Sequence, residues 1–372
     1  MPGSSRAWRR RGHRPCLFAS ETEFAMYRPL SALIVGLLLP LAPDAGNTTA
    51  TPGIEFVHHD WFLACDNTGT CRAAGYGPES ADGPLGLMLE RAGGPGTPVK
   101  ARLRVGEDGE SAMPEGAMRL LVNDRDLGPV QDTGADEAVT LRPAQVEALL
   151  AALPGRARIE VIDNNGTRWP ISDRGAAAVL LKMDETQGRI GTPGALVRRG
   201  TRAETRVPAA YAKPVIVSAT LVAPRSGDSE LGSSEALRDA VIATLGDSDD
   251  CPRLIEYTGT PEMVIERLDE HHVLVQALCQ MGAYNYSNGF WIARDQPPFA
   301  PQTITLEAEG FSRAERTLYA RYKGRGIGDC VSGSDWVWDG RRFQPSSAFS
   351  TGLCRGIPGG HWMLPTLISE VR

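Results

Sequence analysis

The sequence lacks the motifs that most directly identify an enzyme class. It contains no His-Glu-x-x-His pattern and no C-x-x-C pair, so the usual ligand spacing of a zinc site is missing. It also contains no Gly-x-Ser-x-Gly elbow, no phosphate-binding loop and no dinucleotide fingerprint. Residues 324–328 are glycine-rich, but no helical pattern follows them, so they indicate a bent loop. We therefore assign no catalytic residue, no metal ligand and no cofactor, and whether the protein is an enzyme stays open at this point.

A hydrophobic run long enough to cross a membrane is absent too. Residues 30–41 form an apolar run that Gly36 and Pro40 interrupt and Arg28 precedes, whereas a membrane span needs ~20 apolar residues. This arrangement is typical of a secretory signal peptide. We predict that residues 1–45 contain a signal peptide preceded by surplus residues, and that Met26 is the true first residue of the protein. The mature protein is then periplasmic, without stable membrane insertion.

An excess of positive charge is missing as well. The whole chain has 39 Lys and Arg residues against 45 Asp and Glu residues. Loss of residues 1–45 would remove six arginines and three acidic residues, which leaves a formal net charge of −9. A chain this acidic lacks the electrostatic footprint of a nucleic-acid-binding protein, so we predict no nucleic-acid partner.

Cysteine is scarce, but its number is informative. Seven cysteines become six when Cys16 leaves with the signal peptide. An even number in an exported chain is typical of a disulfide framework. Several connectivities are possible, and pairing between neighbours along the chain favours three bridges: Cys65–Cys71, Cys251–Cys279 and Cys330–Cys354.

Short strand patterns dominate what the chain does contain. In the first half, a hairpin turns at Asn165-Gly166 and leads into a helix. Along that helix the apolar residues at helical spacing face one side: Ala176, Val179, Leu180 and Met183. We expect Ser172 or Asp173 to cap this helix, and we expect Asp184 to face outward.

In the second half, turn signals divide the sequence from His271 onward into short strands. Prolines and arginines accumulate before it, so we place a linker at residues 208–214. The patterns together predict an α+β, β-rich fold with two antiparallel-sheet domains, the first with a packed amphipathic helix. The predicted domains are an N-terminal one at residues 46–207 and an aromatic-rich C-terminal one at residues 215–372.

Short motifs spread over nearly all of the mature chain carry a family resemblance. In the first half they are residues 60–61, 65–68, 71–76, 175–185 and 191–200. In the second half they are residues 282–285, 323–326, 328–330, 336–340 and 354–356. Through these motifs the chain resembles a bacterial exported family catalogued only as a domain of unknown function, number eleven-seventy-six. The resemblance implies export and a shared architecture but no activity. The first half more distantly resembles the invasion-associated locus B proteins, which are also exported and β-rich.

Aromatic residues form the strongest local signal. Thirteen of the 24 aromatic residues follow position 280, among them Tyr284, Tyr286, Trp291, Tyr319, Tyr322, Trp336, Trp338 and Trp362. Trp336 and Trp338 are two apart, so on a strand they share a face. Asp335 and Asp339 flank them, and residues 332–335 are expected to form a turn before this strand.

Two interpretations of these tryptophans remain. Aromatic rings with nearby acids suit sugar rings, so Trp336, Trp338, Asp335 and Asp339 are candidate ligand-binding residues. In that case at least one indole is partly exposed in a groove beside Asp335 or Asp339. Alternatively, the tryptophans only supply bulk to a small β core.

The sequence thus favours an exported, non-catalytic protein that binds an envelope glycan or another envelope protein. One alternative is an envelope glycan hydrolase that uses two of Asp329, Asp335 and Asp339 as acid and base. A third possibility is a structural or assembly role without any ligand.

Overall fold

The computed structural model of the protein describes residues 53–78, 85–106, 116–130, 138–246, 250–256 and 263–372. The predicted signal peptide, with Cys16, Met26 and the apolar run, lies outside these residues. Residues Thr48–Arg372 group as one compact unit, and the linker at 208–214 stays a prediction. Within the described ranges, no helix has both the length and the hydrophobicity that a membrane crossing requires.

The described residues of the first half form two antiparallel sheets and two helices. The first sheet contains, in spatial order, β1 (Ile54–His58), β2 (Trp61–Cys65), β3 (Cys71–Tyr76), β4 (Leu85–Arg91), β5 (Val99–Val105) and β8 (Ala138–Thr140). The second contains β10 (Arg168–Ile171), β9 (Ile159–Ile162), β6 (Met118–Val122) and β7 (Arg125–Val130). The helices are α1 (Pro143–Ala152) and α2 (Ala176–Thr186). Alternate residues of the strands meet these helices in one large hydrophobic core.

Helix α2 packs as predicted, with Ala176, Val179, Leu180 and Met183 buried, but two expectations about it are wrong. Asp184 is fully buried, because it forms an ion pair with Arg91 at 2.7 Å. It also accepts the backbone N–H groups of Leu196 and Val197. The spacing of apolar residues along a helix does not show that a carboxylate is buried when its ion-pair partner lies far away in the sequence.

The start of α2 is the second correction. Neither Ser172 nor Asp173 caps the helix; Gly175 occupies the N-cap position with a φ of 100°. A Cβ atom at this glycine would lie 1.8 Å from the carbonyl oxygen of His58. The close approach of β1 therefore requires a residue without a side chain here. Ser172 instead donates to Asp60 at 2.7 Å.

The second half begins with short elements and continues into two further sheets. A 3₁₀ helix (Glu204–Arg206) and the helices α3 (Asp228–Leu231), α4 (Glu235–Ile242) and α5 (Pro252–Glu256) precede them, and β11 (Val215–Ile216) pairs with β21 (Glu370–Val371). The third sheet contains, in spatial order, β12 (Val264–Arg267), β13 (His272–Met281), β14 (Tyr286–Arg294) and β15 (Gln302–Ala308). The fourth contains β16 (Gly310–Ser312), β17 (Thr317–Lys323), β18 (Val331–Trp338), β19 (Phe343–Ser350) and β20 (Leu364–Leu367).

Strand β18 corrects another expectation. Residues 332–335 were expected to form a turn, but they lie inside this strand and pair with both β17 and β19. Small polar residues have low strand propensity, and pairing on two sides overrides that preference. The predicted fold class, α+β and β-rich with antiparallel sheets, is confirmed.

Three disulfides join Cys65 to Cys71, Cys251 to Cys279 and Cys330 to Cys354, which is the predicted pairing. The two halves also share a hydrophobic cluster. In it, Phe62, Tyr76 and Met88 of the first sheet contact Trp362 and Leu364 near the carboxyl terminus.

Candidate functional site

An open groove of about 890 Å³ lies mainly among strands of the second half of the chain. Its floor is one face of the fourth sheet, formed by β17, β18 and β19. The tip of the β13–β14 hairpin forms one wall, together with Glu307 of β15. Glu55 of β1 and Thr366 of β20 also line the groove. The site therefore draws on strands from both halves of the chain.

The floor is concave because small side chains meet across three strands. Ala320 of β17, Ser334 of β18 and Ala348 of β19 are direct cross-strand partners. Neighbouring strands are about 4.8 Å apart, so this row of small residues extends across roughly 10 Å of sheet. Side chains of this size leave free volume above the sheet, where larger ones would fill it.

Large aromatic residues border this row on both sides. On β18, Trp336 lies two residues beyond Ser334 and Ser332 lies two residues before it. Ser332 pairs with Tyr322 of β17, whose side chain is 62% exposed. Trp336 is half-buried, lining the groove while packing against the hydrophobic core beneath it. At a rise of about 3.4 Å per residue, these borders are roughly 13 Å apart.

The hairpin wall adds two more exposed rings, those of Tyr284 and Tyr286. Asn285 between them joins this wall to the end of β17. Its side-chain Nδ2 donates to the carbonyl oxygen of Lys323, and its Oδ1 accepts the Lys323 N–H, both at 2.9 Å. Its own carbonyl oxygen accepts the N–H of Gly282 at 2.7 Å, which closes the turn. The two-way hydrogen bond fixes the tyrosines relative to the floor.

Acidic groups dominate the charge of the lining. Glu55 and Glu307 line the groove, and burial of the carboxyl raises the pKa of Glu55. Burial also raises the pKa of Tyr286, as do the charge and hydrogen bond of Glu309 beside it. Arg321 lines the groove as well, but it forms an ion pair with Asp335 at 2.8 Å.

The four candidate ligand-binding residues lie in different environments. Of the two tryptophans, Trp336 lines the groove, whereas Trp338 is 1% exposed and packs against Phe343. Asp335 is engaged by Arg321 and by the Ser347 hydroxyl at 2.6 Å. Asp339 lies in the turn after β18, where it accepts the N–H groups of residues 341 and 342.

The aspartates of the hydrolase hypothesis do not meet in the groove. Asp329 is fully buried and paired with Arg325. Although burial opposes ionisation, the hydrogen bonds from Arg325 and from the Gly356 N–H hold the pKa of Asp329 below its usual range. Burial likewise opposes ionisation of Asp339, and hydrogen bonds led by that of the Arg342 N–H lower its pKa. Neither these two nor Asp335 lines the groove.

One group has the composition of a metal site. Asp329, Cys330 and Cys354 place ligand atoms within 4.8 Å of one another. Because the two sulfur atoms are joined in a disulfide, they are not available as thiolate ligands.

The aromatic part of the groove could be predicted from the sequence, and the rest could not. Tyr284, Tyr286 and Tyr322 belong to the aromatic concentration after position 280. Glu55, Glu307 and the row of small floor residues had no local signal. Strand register brings the floor residues together, and the packing of separate sheets brings Glu55 and Glu307 to them.

Two of the comparisons with known proteins find a match, and neither match has an assigned function. Residues 55–369 match the family model "Protein of unknown function (DUF1176)", which confirms the family resemblance. The chain is 26% identical over 309 residues to the uncharacterized protein YpfG of Escherichia coli (strain K12), covering 77% of this chain and 84% of that protein. No solved structure matches. The similarity to the invasion-associated locus B proteins stays a prediction.

Proposed function

The chain belongs to the DUF1176 family of proteins of unknown function. We propose that it binds an envelope glycan in the groove described above and catalyses no reaction on it. The observation that carries the proposal is the exposure of aromatic rings around a floor of small residues. Met281, Tyr284, Tyr286 and Tyr322 are four of the twelve large apolar side chains that are exposed among the described residues. All four line the groove.

This arrangement matches the surface of a saccharide. Sugar rings present flat patches of C–H groups that pack on aromatic faces, and tyrosine adds a hydroxyl for hydrogen bonding. Ser332, Ser334 and Ser287 supply further hydroxyl groups along the lining. An open groove bordered by rings thus suits an extended chain of sugars better than a compact ligand enclosed by protein.

The cellular location follows from the sequence and is part of the proposal. A signal peptide at residues 1–45 would direct the chain to the periplasm. Three disulfides are typical of proteins from an oxidising compartment, which supports export. Envelope glycans are then the saccharides that the mature protein meets.

The test is a binding screen of the purified mature protein against peptidoglycan fragments and other envelope glycans by calorimetry. Tyr322→Ala should weaken binding by roughly tenfold, the contribution of one well-placed aromatic contact. Tyr211→Ala is the matched control, because Tyr211 is 69% exposed and lies outside the groove.

Two results would contradict the proposal. Equal losses for Tyr322→Ala and Tyr211→Ala would place binding elsewhere. Cleavage of the bound glycan, detected by mass spectrometry after incubation, would show that the protein is an enzyme.

A further inference from the structure

The charges that line the groove are unbalanced. Its ionisable lining residues are Glu55, Glu307, Arg321 and the tyrosines. Glu309 adds another carboxylate beside Tyr286. If Arg321 is neutralised by a partner of its own, the groove presents net negative charge to a ligand.

Arg321 is engaged in this way. Its Nη1 lies 2.8 Å from the Asp335 carboxylate and donates to the carbonyl oxygen of Ala320 at 2.7 Å. Its guanidinium also lies over the ring of Phe349, 5.2 Å from the centroid. With its charge paired and its Nη1 group engaged, Arg321 is a weaker partner for an anionic ligand than an unpaired arginine would be.

We propose that the glycan bound in this groove carries positively charged amino groups, as an oligomer of de-N-acetylated hexosamine does. This inference rests on the proposed function and adds the charge class of the ligand. Glu55 and Glu307 supply carboxylates to an ammonium group, and the faces of Tyr284, Tyr286 and Tyr322 supply its cation–π partners.

The combination of aromatic rings and carboxylates allows the groove to bind an amino sugar more tightly than a neutral sugar. An aromatic face attracts a cation through the negative potential above the ring, and tyrosine and tryptophan do so more strongly than an aliphatic side chain. Carboxylates near such rings add Coulomb attraction over several ångströms. The same carboxylates repel the uronic acids and phosphates of acidic glycans. The groove therefore selects by charge as well as by shape.

The experiment compares three oligosaccharides of equal length: glucosamine oligomers, N-acetylglucosamine oligomers and galacturonate oligomers. Calorimetry is performed at a mildly acidic pH where the amines are protonated, and at low ionic strength. The glucosamine oligomer should bind at least about fivefold more tightly than the acetylated one, since exposed ion pairs and cation–π contacts each contribute a factor of roughly two to five. The galacturonate oligomer should bind most weakly.

Variants identify the groups responsible. Glu307→Gln should reduce the preference for the amine severalfold while leaving the affinity for the acetylated oligomer nearly unchanged. Glu147→Gln is the control, because Glu147 is exposed on α1, away from the groove. A linear polyamine should bind more weakly than the glucosamine oligomer, since it lacks sugar rings.

The outcomes separate this inference from the proposed function. Equal affinity for the amino and acetylated oligomers, or a preference for galacturonate, would overturn the charge class and leave glycan binding standing. A polyamine that bound as tightly as the glucosamine oligomer would show that charge alone drives binding, and would contradict a glycan as the ligand. If no saccharide of any charge bound, the proposed function itself would fail.

Discussion

At the scale of single residues, the two tryptophans of β18 have different surroundings although they share a strand face. Trp338 is buried and packs against Phe343, whereas Trp336 packs against the core and lines the groove. Trp338→Ala should lower the free energy of unfolding by ~3–5 kcal/mol, because a large cavity is left. Tyr322→Ala should change it by less than about 1 kcal/mol. Urea denaturation of both variants measures the difference, and similar losses would show that Tyr322 is a core residue.

A second residue-scale prediction concerns the Asp184–Arg91 pair. Both side chains are buried, at 0% and 1% exposure. Asp184→Ala should destabilise the protein by about 3–5 kcal/mol, because the Arg91 guanidinium is left as an unpaired buried charge. Glu185→Ala is the matched control. Its pair with Lys182 is exposed, so it should change the free energy of unfolding by less than about 1 kcal/mol. Equal effects in thermal denaturation would contradict the buried pairing.

At the scale of elements, strands with alternating apolar residues could be predicted from the sequence, and the groove floor could not. The runs in β13 and β17 contain β-branched and aromatic residues, which favour strands. The floor residues Ala320, Ser334 and Ala348 lack such a preference. Their adjacency depends on the pairing of three strands. Local patterns therefore indicated a turn at residues 332–335, where the structure has the middle of a sheet.

The hairpin wall leads to an element-scale prediction. Asn285→Ala removes both hydrogen bonds between the β13–β14 turn and Lys323. These bonds are exposed, so the free energy of unfolding should fall by only about 1 kcal/mol. Hydrogen exchange of residues 281–286 should accelerate, and glycan affinity should drop with the mobility of the two tyrosines. Unchanged exchange in this turn would show that Asn285 does not hold the wall.

At the scale of the whole molecule, the paired carboxylates determine the response to acid. The hydrogen bond from Arg267 lowers the pKa of Asp228, and the contacts from Arg325 help to lower that of Asp329. A lowered pKa stabilises the folded state above the unfolded value of about 4. This stabilisation is lost as the pH falls through the folded values. Glu55, whose pKa is raised, acts in the opposite direction. Denaturation in urea from pH 7 to pH 3 should show falling stability, with a shallower slope for Asp228→Asn.

The contacts between the two halves argue for cooperative unfolding of the whole described chain. Trp362 and Leu364 cover Phe62 and Tyr76, and Arg355 pairs with the buried Asp60 at 2.7 Å. Neither half can bury these groups alone, so separating the halves would expose an apolar face and an unpaired charge. We expect near-ultraviolet and far-ultraviolet circular dichroism to report one coincident thermal transition. Trp362→Ala should lower that single transition, as measured by both probes. Two separate transitions, only one of them shifted by Trp362→Ala, would instead show that the halves fold independently, as the linker at residues 208–214 would allow.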